Sequence, residues 1–269
     1  MSCYIERILS ETDVESDIKL LIPDAGMRRR MGRILKMSVS TAVECVGGVE
    51  SIKELDSIIT STGFGCLTDS EKFLRNVIND NEQLLNPTPF IQSTFNTIGG
   101  QIALLGHNHC YNVTYVNKSH SFEDALLDAF LRMVDGESKS VLVGCYDENT
   151  PSLHIIMERL GLLRGISDSD GCTFMKLTSK HHSGCMAEIC GVYFPSHDLT
   201  EEDCRRIYSS SDSSVILYNS FEGYGLYPTV SGKVIQKGVE QIKSGIPEII
   251  IYNKYLGGLP SVIVIRRCI

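Results

Sequence analysis

The chain contains no run of eighteen apolar residues, the length a membrane-spanning helix needs. It also lacks a leader pattern. Its first twenty residues, "MSCYIERILSETDVESDIKL", carry acids throughout, where an export signal would start basic and turn apolar. A cytoplasmic setting is therefore expected. Basic charge is scarce as well: 25 Lys and Arg stand against 33 Asp and Glu, giving a net charge of -8 and a pI near 5.4. The dense basic run is "RRRMGR", residues 28–33, too little for the face that nucleic-acid phosphates require.

Ten cysteines follow no repeating spacing, which in a chain of this length argues for reduced thiols and against a disulfide framework. The sequons at Asn112 and Asn117 are then chance matches. The nearest approach to a metal cluster is "KHHSGCMAEIC", with His181, His182, Cys185 and Cys190. Its adjacent histidines and four-residue gap between cysteines do not match paired zinc ligands, so no metal is expected. The glycine stretches "STGFGC" and "YLGG" are too short for dinucleotide or nucleotide fingerprints, and G-x-S-x-G is missing.

What is present is an ordinary globular composition: 269 residues, 42% hydrophobic and 22% charged, enough for one large α/β domain or two small ones. After an N-terminal strand and the turn "IPDAG", apolar spacing predicts a helix over Met31 to Val46 that stops at Gly47 and Gly48. "LDSIITSTGFG" reads as a buried strand ending in glycines, and Thr68 to Asp80 as a helix. "NPTPF" reads as loop, with a small-residue helix after Asn96. "YNVTYV" and "SVLVGCYDE" read as strands flanking a helix that opens at Ser121. Residues 1–148 thus alternate β and α, implying a parallel or mostly parallel sheet. Residues 149–197 read as irregular, with "RGISDSDGC" as a linker. The remainder, 198–269, repeats the alternation in shorter form through "SSVILYN", "SGKVIQKGVEQIKSG", "EIIIYNK" and "SVIVIRR". Together these parts make one compact unit of two unequal halves.

The turn "NKSHSF" between strand and helix raises the question of a nucleophile. Ser119 and His120 would be exposed there beside the N–H groups of a helix start. Adjacent residues on a turn project in different directions, so the two do not make a catalytic pair by adjacency, and Ser119 competes with a turn or capping role. Ser121 with Asp124 is the competing cap.

Several segments together resemble the ketosynthase branch of the thiolase-fold enzymes, and most closely the ketosynthase-like proteins called chain length factors. The segments are "MRRRMGRILKMSVSTAVECV", "TSTGFGCLTDSEKFLRNVINDNEQLLNPTPFIQSTFNTIGGQIALLG" and "SFEDALLDAFLRMVDGESKSVLVGCYDENTP". They cover residues 20–151, and their order and spacing carry the likeness. Less closely, "LYPTVSGKVIQKGVEQIKSGIP" and "YNKYLGGLPSVIVIRR" resemble later ketosynthase segments.

The resemblance implies a thiolase-like layered αβαβα fold with a shortened second half. It places the ketosynthase nucleophile position at Ser119, neither Cys110 nor Cys145. The two histidine positions fall near "NSFEGYG" and at Leu226 or Tyr227, and no histidine follows His197. It makes Phe95, Asn96, Tyr255, Leu256, Gly257 and Gly258 the tunnel and active-site loop, and Arg28, Arg29, Arg30 and Arg33 candidate contacts for a carrier protein. The implied function is a non-catalytic subunit of aryl polyene or flexirubin-type pathways. It would pair with an active ketosynthase through strands near residues 111–117, with a homodimer as the assembly of the isolated chain. It would need no cofactor beyond the acyl-phosphopantetheine of an acyl carrier protein. Two other readings stand beside it: an acyltransferase or hydrolase using Ser119 with His120 or His181, and a self-associating scaffold.

Overall fold

In the computed structural model, residues 2–210, 214–218 and 223–268 are described. The first half runs β1 (Cys3–Ser10), the short helices α1 (Ile18–Leu21) and α2 (Ala25–Arg30), α3 (Arg33–Val46), β2 (Ser57–Ser61), α4 (Leu67–Asn79), α5 (Pro87–Ser93), α6 (Thr97–Leu105), β3 (Tyr111–Tyr115), α7 (Ser121–Val134) and β4 (Ser140–Asp147). It is followed by α8 (Pro151–Arg159), β5 (Gly171–Thr178), β6 (Ala187–Tyr193), α9 (Glu201–Tyr208), β7 (Val215–Tyr218), α10 (Ser231–Lys243), β8 (Glu248–Asn253) and β9 (Ser261–Arg266). No described helix is long and apolar enough to cross a membrane.

Among the described residues nine strands form one sheet in the order β3-β2-β4-β5-β1-β6-β9-β8-β7. β2 is parallel to β3 and β4, as the β/α alternation requires, with Ser57 opposite Tyr111 and Val141. β4–β5 and β5–β1 are antiparallel, so the N-terminal strand is no part of the parallel set. The second half repeats this plan: β7–β8 is parallel, while β8–β9 and β9–β6 are antiparallel. The order 2-4-5-1 thus recurs as 7-8-9-6, and the two copies meet where β1 pairs with β6. Among the described residues the second copy has no counterpart of β3, which is the shortening expected.

The period-2 alternation of strand side chains sorts each strand onto two cores. Val141, Val143 and Cys145 of β4, Met175 and Leu177 of β5, Ile249 and Ile251 of β8, and Ile263 and Ile265 of β9 pack on the apolar faces of α7 and α10. Their neighbours Leu142, Tyr146, Cys172 and Phe174 turn outward onto α3 and α6. Ile250, Tyr252, Val262 and Val264 turn outward onto Cys204 of α9. Helix α7 touches β2 and β4 of its own half and β6 of the other, and α10 touches β8 and also β5 and β1. The layers are therefore α, β, α, β, α.

The structure corrects three local expectations. The helix expected from Met31 starts two residues later as α3 at Arg33 and stops as expected at Gly47 in the left-handed region, while the turn expected at "IPDAG" runs into the short helix α2 at Ala25. "NPTPF" is not loop: the Asn86 side chain accepts from the Thr88 N–H and Pro87 opens α5, a start suited to proline's fixed φ. Residues 149–197 supply α8 and the interior strands β5 and β6, and "RGISDSDGC" runs into β5 at Gly171. Tertiary pairing on both sides outweighs the weak local signal of these strands.

Candidate functional site at the β3–α7 turn

Three strand ends build the site. β2 ends at Ser61 between Tyr115, the last residue of β3, and Cys145, two residues before the end of β4, and the chain leaves β3 through a tight turn into α7. Lys118 takes the left-handed conformation at φ +49, uncommon for a side chain of that size. Ser121 locks the turn, its hydroxyl accepting from the Asn117 N–H and donating to the Lys118 carbonyl, each at 2.8 Å. Asp124 holds the Asn117 side chain at 2.9 Å. The cap expected of Ser121 with Asp124 is therefore not formed: the N-cap of α7 is His120, without a side-chain cap bond, and both residues fasten the turn instead. Ser119 is left half-buried with no hydrogen bond from its hydroxyl among the described residues.

The turn faces the "YLGG" loop. A Cβ placed on Gly258 would lie 3.4 Å from Ser119 Oγ, and His120 donates from Nε2 to the Leu259 carbonyl at 2.8 Å. The His120 ring also meets Phe194 edge-on at 5.2 Å. Leu256 and Gly257 turn the loop through left-handed backbone, while Tyr255 is buried beneath it with Met157 and Leu226. The structure thus joins Ser119 and His120 to residues 255–258. Phe95 sits further along the same rim, close enough to Gly65 that a Cβ there would strike its ring at 2.8 Å. Asn96 starts α6 and is exposed.

Sequence reasoning missed the polar floor of this site. Asp147, fully buried at the end of β4, accepts five hydrogen bonds. Thr62 Oγ1 and the N–H groups of Gly63 and Phe64 reach one oxygen at 3.0, 2.9 and 2.8 Å. The N–H and hydroxyl of Thr229 reach the other at 3.1 and 2.8 Å. Burial pushes its carboxyl from the ordinary 3.8 up to about 6, against the pull of those donors. Burial, and then the charge of Asp147, pushes the phenol of Tyr255 upward. Glu123 of α7 is also fully buried. Asn253 donates to one oxygen at 2.7 Å, and among the described residues no donor lies within hydrogen-bond distance of the other; burial raises its pKa against the pull of its own N–H, Ser231 and Asn253. The signal available was "YDE", acids closing an otherwise apolar strand.

A serine hydroxyl needs a base within hydrogen-bond reach to act as a nucleophile near neutrality. The Nε2 proton of His120 is committed to Leu259. His181 packs with its ring tilted against Tyr4 at 5.3 Å, three residues beyond Thr178, which pairs with Ser140 at the start of β4. The elbow lies at the Asp147 end, so the length of β4, roughly 23 Å at ~3.3 Å per residue, separates them. His181 is therefore not a base for Ser119. Of the histidine positions, Leu226 and Tyr227 are buried apolar and phenolic groups, and Asn219–Glu222 of "NSFEGYG" lie outside the described residues. Cys145 is buried, its thiol donating to the Thr229 carbonyl and pushed well up by burial. Among the described residues no group of three or more His, Cys, Asp or Glu could hold a metal.

The arginine cluster divides. Arg28 is bound to the carbonyls of Ile22 and Pro23, and Arg33 pairs with Asp170. Arg29 and Arg30 are exposed.

The family model for the beta-ketoacyl synthase N-terminal domain matches residues 9–160. Nothing among curated proteins matches the chain. Among solved structures, the ishigamide ketosynthase/chain length factor superposes with a TM-score of 0.76 at 13% identity, covering 99% of each chain. A beta-ketoacyl synthase from Burkholderia phymatum STM815 gives 0.74 at 12%, covering 100% of each. The ketosynthase ApeO in complex with its chain length factor ApeC, from Xenorhabdus doucetiae, gives 0.62 at 11%, covering 99% of this chain and 100% of that one. At these identities the likeness establishes the fold, which is thiolase-like.

Proposed function

Because this chain belongs to the beta-ketoacyl synthase family, we propose that it is a ketosynthase-like subunit without condensing activity of its own, a chain length factor. In this reading it pairs with an active β-ketoacyl-carrier-protein synthase in a polyketide-type pathway of the aryl polyene kind. The observation that carries the reading is Ser119 at the start of α7, where a condensing enzyme needs a thiolate, with its neighbour His120 committed to the Leu259 carbonyl. The turn faces the "YLGG" loop, and in this reading the chain would bound a tunnel whose chemistry occurs in the partner. Edge strand β3 supports pairing: it bonds β2 on one side, leaving its other edge to accept a strand. Arg132 stacks over Tyr111 at 3.9 Å to the ring centroid and firms that edge. Acyl groups would arrive on the phosphopantetheine arm of a carrier protein, with Arg29 and Arg30 as the exposed cations available to its acidic surface.

The test is to incubate the purified chain with an acyl thioester and measure the mass of the peptide containing "NKSHSF". No adduct, together with co-purification of a co-expressed ketosynthase, is the expected result. Acylation that disappears in Ser119→Ala would sink the reading and revive the acyltransferase.

A further inference from the structure

All ten cysteines are free, and Cys110, Cys185, Cys190 and Cys268 are the half-buried ones. Cys110 precedes β3 at one edge of the sheet, whereas the other three lie where β6 runs beside β9. Two of those three belong to "KHHSGCMAEIC", which forms the β5–β6 hairpin and the start of β6 and has no role at the elbow. The hairpin is fastened to β1. The His181 ring lies tilted against Tyr4, His182 Nε2 stands 4.0 Å from a Glu6 carboxylate oxygen, and the Met186 N–H donates to the Ile5 carbonyl at 2.7 Å. Within its turn the Gly184 N–H donates to His182 Nδ1 at 3.1 Å and the Cys185 N–H to the His182 carbonyl at 3.0 Å. Cys185 is thereby held at the foot of β6.

The strand register brings Cys268 to the same place. β6 and β9 are antiparallel, with Glu188 opposite Arg266. β9 keeps its line beyond that pair, since the Arg267 N–H donates to the Pro247 carbonyl at 2.9 Å. Two residues further, Cys268 stands opposite Met186, one residue from Cys185. Met186 and Ala187 both pack on the inner core, which breaks the alternation of β6 and turns Cys185 to the outer face shared by Glu188 and Cys268. Burial first, and then the charges of Cys185 and Glu188, raise the pKa of the Cys268 thiol, as groups on one face require. Neighbours one residue off register on antiparallel strands have Cα atoms roughly 5.5–6.5 Å apart, inside the roughly 4.4–6.8 Å that a disulfide spans.

We propose that Cys185 and Cys268 form a redox modification site, which a peroxide converts to a disulfide that clips the end of β9 to the β5–β6 hairpin. The Cys185 thiolate attacks one oxygen of hydrogen peroxide; the O–O bond breaks, leaving a sulfenic acid and, after proton uptake, water. The Cys268 sulfur then attacks the Cys185 sulfur, the S–OH bond breaks, and the hydroxide leaves with the thiol proton as a second water. Two thiols and one peroxide thus give one disulfide and two waters, the sulfurs losing the two electrons that the oxygens gain. Cys190 is the nearest competitor, but it sits at the irregular step of β6 against the core beneath α9, and burial pushes its thiol up to about 11, which disfavours the attacking thiolate. The pair lies at the Ser140 end of the sheet, away from Ser119, and does not rest on subunit pairing.

The test is to expose the folded full chain to a small excess of hydrogen peroxide, alkylate the remaining thiols after unfolding, and weigh and map the product without reduction. Eight alkylated thiols out of ten, a loss of two hydrogen masses reversed by dithiothreitol, and a peptide joining Cys185 to Cys268 are expected. Because the closed loop takes in β6 to β9, the oxidised chain should melt several degrees above the reduced one. Cys185→Ser and Cys268→Ser should each abolish the bond, and Cys190→Ser should leave it unchanged. Ten alkylated thiols, oxygen adducts in place of the bond, a bond that survives in Cys185→Ser or maps to Cys190, or an oxidised chain that melts no higher would overturn the proposal.

Discussion

The central strands of the two halves end alike, yet bury their polar ends differently. β4 ends at Asp147, which reaches Thr229 two residues ahead of α10, whereas β8 ends at Asn253, which donates to Glu123 in the first turn of α7. Each strand thus holds the start of the other half's central helix. Asp147 is saturated by five donors, while among the described residues Glu123 has one oxygen with no donor within hydrogen-bond distance. A repeated fold can therefore carry one fully satisfied polar crossing and one partly satisfied crossing, and their energetic weights should differ.

The largest effect is expected at Asp147→Ala, which strands five buried donors and should cost about 3–5 kcal/mol in urea denaturation. Asn253→Ala should cost less, about 1–3 kcal/mol, and an equal or greater cost would break the comparison.

Next comes the pH response. Because the Asp147 carboxyl rises from 3.8 to about 6 on folding, the folded state holds a proton that the unfolded state has released across that window. Stability from this group is therefore fully present below about pH 3.8 and falls by about 3 kcal/mol in all as pH climbs through 6. Denaturation of the protein and of Asp147→Asn at pH 4.5 and 7 should show the difference between them shifting in that direction. Parallel curves would mean that the five donors cancel the effect of burial.

Glu123→Gln removes a charge disfavoured by burial while keeping an acceptor for Asn253, so stability at pH 7 should hold or rise by about 1 kcal/mol. A loss above ~2 kcal/mol would show that the carboxylate is fully satisfied. The smallest contrast lies in the arginine cluster: Arg28→Ala, which frees two carbonyls, should cost about 1 kcal/mol, and Arg29→Ala should stay within about 0.5 kcal/mol.

Much of the fold was legible. Helix α7 and strands β3, β4, β8 and β9 carry strong periodicity with clear stops, and each appears where the pattern places it. β5 and β6 were not legible, because their surroundings of Gly, Ser and Asp read as loop and pairing on both sides is what makes them strands. Helix α9 was passed over although Thr200 and Asp203 form a capping box at its start. At the site, Ser119 was readable as the residue at the elbow. The commitment of His120 to Leu259 was not, since its partner lies 139 residues away.

By itself the sequence determined the alternation of strands and helices, the lack of a thiol at the turn and the absence of histidine after His197, since these are matters of residue type and local spacing. Tertiary structure alone decided that the two halves share one sheet through β1 and β6, that His181 lies at the far end from Ser119, and that Asp147 and Glu123 sit buried. Burial and hydrogen bonding depend on what the rest of the chain brings to a residue, and for these groups it comes from the opposite half.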